Sequence, residues 1–99
     1  MENQRKYKKV LLIDDDKIIN YVQHKLIESF HLADELIVKD SGTSALEYLK
    51  KSMQEYVLPD IIFLDLNMPL MTGFEFLVAF DKLIMERNYR LNKDHCKIV

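Results

Sequence analysis

The chain has 99 residues, of which 48% are hydrophobic and 30% are charged, and its formal net charge is −2. This size and composition are typical of one globular domain, and the weakly acidic balance gives no basic footprint for nucleic-acid binding. None of its apolar runs is long enough to cross a membrane, its start is too polar for a signal peptide, and its single cysteine, Cys96, fits a reducing cytoplasm.

The first predicted element is a strand over residues 10–13, and it leads directly into Asp14, Asp15 and Asp16. A short continuous apolar run is typical of a strand buried on both faces, as in a parallel sheet. Asp16 is then expected to cap a helix that ends near Phe30. Apolar residues at helical spacing predict the stripe that packs on the sheet: Ile18, Ile19, Val22, Leu26, Ile27 and Phe30.

The next predicted pair is a short strand over residues 35–39 and a helix over residues 42–53. The charged ends of the strand, Glu35 and Lys39, suit the edge of a sheet. Ser41 is the expected cap of the helix. Its core stripe is predicted as Ala45, Leu46, Leu49 and Met53, with Tyr48, Lys50 and Lys51 facing solvent.

A third strand is predicted over residues 61–64, and it ends on one carboxylate, Asp65. Pro59 and Pro69 bound it because proline cannot extend a sheet ladder. The loop after it contains Leu66-Asn67-Met68-Pro69. Taken alone, this stretch leaves open a structural role in which Asp65 merely caps a turn.

A third helix is predicted from Gly73 to about Arg87, because Thr72 and Glu75 have the spacing of a capping box. Its apolar face is predicted as Phe76, Leu77, Phe80 and Ile84. A polar loop over residues 88–95 then leads to the opening of a fourth strand over residues 96–99. The alternation of strands and helices predicts an α/β fold with a doubly wound parallel sheet.

The three carboxylates at strand ends point to a binding site. Carboxyl ends of neighbouring parallel strands meet at one edge of a sheet, so Asp14, Asp15 and Asp65 are expected to converge. Two like charges about 4 Å apart repel by roughly 4 kcal/mol at an effective dielectric constant near 20. Such a cluster needs a cation or a shared proton, and its hard oxygen ligands suit Mg2+.

Together these motifs resemble the receiver domain of two-component response regulators. The resemblance is carried by Leu12-Ile13-Asp14-Asp15-Asp16, Leu64-Asp65-Leu66-Asn67-Met68-Pro69 and Thr72-Gly73, and it covers the chain from about Lys9 onward. It implies a flavodoxin-like (βα)5 receiver fold with strand order 2-1-3-4-5. Only the first four strands and three helices of that fold are expected here, so residues 1–99 are interpreted as one receiver domain that is incomplete at its C-terminus.

The resemblance also implies a role for each site residue. Asp65 matches the phosphoacceptor, which takes a phosphoryl group from a histidine kinase or phosphotransfer protein. Asp15 matches the direct Mg2+ ligand, Asp14 the acidic neighbour that reaches the ion through water, and the backbone carbonyl of Asn67 a third protein ligand. The implied function is a phosphoacceptor signalling domain of a two-component phosphorelay, and not an enzyme.

Two departures from the family pattern qualify this interpretation. Thr72 stands where most receivers have Asp, and we interpret it as a helix cap. The chain ends at Val99, before the Ser or Thr and the Lys that contact the phosphoryl group in the family. Without the family's last helix, the sheet face around the third and fourth strands is expected to be bare. This predicts a homodimer through the exposed edge or face, or a fragment of a longer protein.

Two alternatives stay open at this stage. One is a pseudo-receiver, a protein-interaction module that keeps the fold without phosphorylation. The other is a haloacid-dehalogenase-like phosphatase, because Asp14-x-Asp16 resembles the motif with which that class opens. That class normally continues with Gly or Thr, whereas Lys17 and Ile18 follow here.

Overall fold

The computed structural model describes residues 7–55, 57–87 and 96–99, and it contains one parallel four-stranded sheet. The strands are β1 (Tyr7–Ile13), β2 (Ala33–Lys39), β3 (Ile61–Leu64) and β4 (Lys97–Ile98). They alternate with the helices α1 (Lys17–Ser29), α2 (Gly42–Gln54) and α3 (Gly73–Glu86). The strand order β2-β1-β3-β4 confirms the predicted fold class. The polar loop predicted over residues 88–95 lies outside the described residues, and no described helix has the length and apolarity to span a bilayer.

The central strand is β1, and it begins earlier than its apolar run predicts. Its first residues are fixed by Asp60, whose Oδ2 accepts hydrogen bonds from the backbone N–H groups of Lys8 at 2.6 Å and Lys9 at 3.1 Å. Tyr7 pairs with Ala33, so β2 also begins two residues before the predicted Glu35. Backbone pairing therefore extends both strands into segments whose polar side chains had hidden them from a hydrophobicity pattern.

One face of the sheet is covered by α2 and α3, and it holds the larger core. Most residues predicted for the two stripes are buried there, whereas three are only half-buried: Leu46, Leu77 and Ile84. Leu83 is buried without having been predicted. The rings of Phe76 and Phe80 stack with their centroids 5.9 Å apart. Tyr48 packs against this core, which corrects its predicted exposure. The buried members of the core are Leu11, Ile13, Ala45, Leu49, Met53, Leu58, Ile62, Met68, Phe76, Phe80 and Leu83.

The other face of the sheet is covered, among the described elements, by α1 alone. The stripe predicted for α1 is wrong in most positions, because Ile27 is its only buried apolar residue. Leu26 is 51% exposed and Phe30 is 68% exposed. Helical spacing identified the apolar side of the helix, but the helix turns only one margin of that side toward the sheet. An open apolar groove lies beside it, lined by Leu12, Gln23, Leu26, Ile27 and Phe63.

Candidate metal centre at the carboxyl end of the sheet

The ends of β1 and β3 bring the predicted carboxylates together. The two strands are parallel neighbours in a register that pairs Ile13 with Leu64. The N–H of Asp65 donates to the carbonyl of Ile13 at 2.9 Å, so Asp65 lies beside the first residue after β1, Asp14. One oxygen each from Asp14, Asp15 and Asp65 lie within 4.8 Å of one another. The convergence expected from the strand ends is therefore present.

In the turn from β1 into α1, the consecutive residues Asp14, Asp15 and Asp16 have different roles. The Oδ1 atom of Asp14 accepts a hydrogen bond from the N–H of Asp16 at 2.9 Å. Asp16 caps α1 as predicted, since its Oδ1 accepts from the N–H groups of Ile18 at 2.9 Å and Ile19 at 3.2 Å. The carboxylate of Asp16 therefore serves the helix, while Asp14 and Asp15 belong to the cluster.

Asn20 is a residue of this region that sequence reasoning missed. It is 8% exposed, and its Nδ2 donates to the backbone carbonyl of Asp14 at 2.7 Å. Its Oδ1 is buried and has no hydrogen-bond partner among the described residues. The signal that could have found it is its spacing of seven residues from Ile27, which places both on the sheet-facing line of α1.

The loop after β3 orients Asp65. Asn67, whose carbonyl was predicted as a ligand, lies in this loop, and its N–H donates to Oδ1 of Asp65 at 3.0 Å. The capping box of α3 is present: the N–H of Thr72 donates to Glu75 Oε1 at 2.9 Å, and the N–H of Glu75 donates to Thr72 Oγ1 at 3.1 Å. Thr72 is thus a helix cap, as its interpretation required.

Gly73 lets the start of α3 approach this loop closely. A Cβ at this position would lie 2.7 Å from the Leu66 Cα and 2.8 Å from the Asp65 carbonyl oxygen, closer than atoms can pack. The N–H of Gly73 donates to the carbonyl of Leu66 at 3.2 Å. The helix is therefore fixed directly against the backbone that carries Asp65.

The electrostatics of the cluster disfavour three free carboxylates. Asp14 and Asp65 are half-buried and Asp15 is exposed. Burial raises the pKa of Asp14 above its usual 3.8, and the hydrogen bond from the Asp16 N–H partly offsets this. The charge and hydrogen bonding of Asp65 and the charge of Asp15 raise that pKa further. The site thus favours a proton or a cation, and hard oxygen donors with one solvent-exposed member fit Mg2+, which keeps several waters.

A pocket of about 190 Å³ opens beside the carboxylates, on the side of α1 and β4. Its walls combine the acidic pair with apolar side chains: Ile13, Asp14, Gln23, Phe63, Leu64, Asp65 and Val99. Asp65 therefore faces a space from which a ligand can approach.

Comparison with known proteins points in one direction. A family model described as the response regulator receiver domain matches residues 10–88. A response regulatory protein from Vibrio cholerae is 35% identical over 71 residues, which are 72% of this chain and 28% of that protein. The chain spans between 8% and 37% of the length of the curated relatives it matches.

Solved structures give the same result. A two-component response regulator from Cytophaga hutchinsonii superposes with a TM-score of 0.77 at 26% identity, over 95% of this chain and 86% of that chain. The receiver domain of the Arabidopsis thaliana histidine kinase CKI1, complexed with Mg2+ and BeF3−, superposes with a TM-score of 0.75 at 26% identity, over 84% of this chain and 60% of that chain.

Proposed function

The chain belongs to the response regulator receiver domain family, and from this premise we propose that Asp65 is the phosphoacceptor of a two-component phosphorelay. The observation that carries the proposal is the convergence of the Asp14, Asp15 and Asp65 carboxylates at the ends of two neighbouring parallel strands. Phosphoryl transfer needs positioning and charge neutralisation more than covalent help from the protein, and such a cluster can supply both.

The chemistry assigned to Asp65 is nucleophilic attack on phosphorus. A carboxylate oxygen of Asp65 forms the new O–P bond, the P–N bond of a phosphohistidine breaks, and the electron pair stays on the imidazole nitrogen. The N–H of Asn67 holds Oδ1 of Asp65, so Oδ2 is the oxygen that this turn leaves for attack. The partner that presents the phosphohistidine is a histidine kinase or a phosphotransfer protein.

The residues proposed to hold Mg2+ are Asp14, Asp15 and Asp65, with the backbone carbonyl of Asn67 as a further ligand. Three carboxylates within 4.8 Å offer the hard oxygen donors that this ion prefers. When bound, Mg2+ supplies charge neutralisation for the phosphoryl group. The CKI1 receiver domain forms a complex with Mg2+ and BeF3−, and this supports proposing a Mg2+ site and a phosphoryl site for this chain.

In this proposal the domain signals by a conformational change after phosphorylation, and it is not an enzyme in its own right. Its place of action is the cytoplasm, which the single cysteine supports because reduced thiols persist there.

The test is phosphorylation by a small-molecule donor such as acetyl phosphate, followed by intact mass. Wild-type protein with Mg2+ should gain one phosphoryl group, and Asp65→Asn should gain none. Asp16→Asn is the matched control, because it removes a nearby carboxylate yet keeps a good helix cap. Labelling that persists in Asp65→Asn would overturn the assignment, and a wild-type chain that is neither labelled nor bound by beryllofluoride would favour the pseudo-receiver.

A further inference from the structure

Two polar side chains are buried among the described residues, and they differ in what they bond. The hydroxyl of Ser52 donates to the carbonyl of Tyr48 in its own helix at 3.0 Å, so it serves only local structure. Asn20 reaches out of α1 to the carbonyl of Asp14 at 2.7 Å, while its own Oδ1 stays buried without a partner among the described residues. Because an unpaired buried acceptor lowers stability, packing alone does not explain an amide here.

The hydrogen bond from Asn20 acts on the peptide that joins two of the proposed Mg2+ ligands. The carbonyl of Asp14 and the N–H of Asp15 belong to one planar unit, so holding the carbonyl sets the orientation of that whole plane. The plane determines the direction in which the chain leaves β1, and hence the positions from which the Asp14 and Asp15 side chains leave the backbone.

Backbone groups of the sheet and of the following turn also hold Asp14. Its N–H donates to the carbonyl of Lys39 at 3.1 Å, and its Oδ1 accepts from the N–H of Asp16 at 2.9 Å. Asn20 adds a contact from the body of α1, whose first turn is closed by the Asn20 N–H donating to the carbonyl of Asp16 at 3.0 Å. The acidic turn is thus enclosed between strand and helix.

We infer that Asn20 is a positioning residue for the Mg2+ site, holding Asp14 and Asp15 in ligating geometry through the Asp14 carbonyl. The inference rests on the proposed function, because it concerns the metal of that same site. Preorganised ligands bind a cation more tightly, and groups that orient ligands typically change metal affinity by roughly 10- to 100-fold when removed. Asn20 also makes α1 part of the site without contributing a ligand.

The decisive variant is Asn20→Leu, which keeps a similar volume and removes the unsatisfied amide. If Asn20 positions the turn, this variant should still unfold cooperatively in urea, yet bind Mg2+ roughly 10- to 100-fold more weakly. Amide hydrogen exchange at Asp15 and Asp16 in the metal-free protein should become faster. Ser52→Ala is the matched control, since it removes the other buried polar group and should leave Mg2+ affinity and these exchange rates unchanged.

The two readouts separate this inference from the proposed function. Wild-type Mg2+ affinity together with unchanged exchange in Asn20→Leu would overturn the positioning role. If the wild-type chain bound no Mg2+, the proposed function would fail. The exchange rates of Asp15 and Asp16 would then still decide whether Asn20 orders the turn.

Discussion

Asp14 experiences burial and negative charge together, and both raise its pKa above 3.8. The folded protein therefore binds this proton more tightly than the unfolded chain does. The stability contributed by protonated Asp14 is complete below a pH of about 3.8 and is lost as the pH rises through the raised pKa. At neutral pH the metal-free site thus opposes folding, and a bound cation would relieve that opposition.

We expect Asp14→Asn to stabilise the metal-free protein at neutral pH and to have no such effect in acid. The gain should be about 1 kcal/mol or less, because solvent screens partly exposed charges. Urea unfolding in the presence of a chelator, over a series of pH values, measures it. The same pH slope in Asp14→Asn and wild type would contradict the expectation.

At the residue scale, the sequence predicts the convergence of the carboxylates but not the hydrogen bond from Asn20 to the Asp14 carbonyl. Asp14, Asp15 and Asp65 follow apolar runs, and parallel strands bring their ends together whatever the details of packing. The role of Asn20 depends on how α1 is rotated over the sheet. That rotation is set by tertiary contacts, which composition and spacing do not contain.

At the scale of elements, helix limits were more predictable than helix burial. The caps at Asp16, Ser41 and Thr72 form as their residue types indicate, because capping is local chemistry. The apolar stripe of α1 was wrong, because burial needs a partner surface and α1 contacts the sheet through a narrower line. Helices α2 and α3 cover each other as well as the sheet, so their stripes are largely buried.

The two helix-starting glycines give a matched pair of variants. Gly73→Ala should destabilise the protein by about 1–3 kcal/mol, because the new Cβ would meet the rigid backbone of Leu66 at 2.7 Å. Gly42→Ala should cost less, since its Cβ would meet the flexible end of Met71 at 2.6 Å and alanine favours helix.

Thermal unfolding of Gly73→Ala and Gly42→Ala measures the difference in stability between them. A Mg2+ titration of both variants tests whether the proposed metal site is affected as well. Gly73→Ala should also weaken Mg2+ binding, because it displaces the backbone next to Asp65, whereas Gly42→Ala should not. Equal losses of stability in the two variants would show that the loop after β3 yields as easily as a methionine side chain.

On the scale of the whole molecule, one side of α1 carries a row of exposed apolar residues among the described residues: Ile19 (43% exposed), Val22 (48%), Leu26 (51%) and, at the C-terminal cap, Phe30 (68%). The open apolar groove lined by Leu26 and Phe63 continues this row toward the sheet. Single exposed apolar residues are ordinary, but a contiguous patch favours association. β4 adds a sheet edge of only two residues, which is short for strand pairing between chains.

We therefore expect the 99-residue chain to associate with itself in a concentration-dependent way, through the side of α1 rather than through β4. Sedimentation equilibrium at several concentrations measures this. The double variant Leu26→Lys with Phe30→Lys should shift the protein toward monomer. Val78→Lys, at a 69% exposed position on α3, is the control and should not. A wild-type chain that stays monomeric at every concentration would contradict the prediction.

The central position of β1 has a consequence for how the chain is made. Val10 pairs with Leu36 on one side and with Ile61 on the other, so β1 precedes both of its partners in synthesis and is paired on both sides only after β3 has been made. At a synthesis rate of about 5–20 residues per second, the apolar run at the end of β1 waits roughly 3–10 s for β3. Lys8 and Lys9 immediately precede that run, and such flanking charges oppose aggregation of an unpaired strand. Lys8 and Lys9 thus occupy positions where positive charge opposes aggregation of β1 while β3 is still unmade.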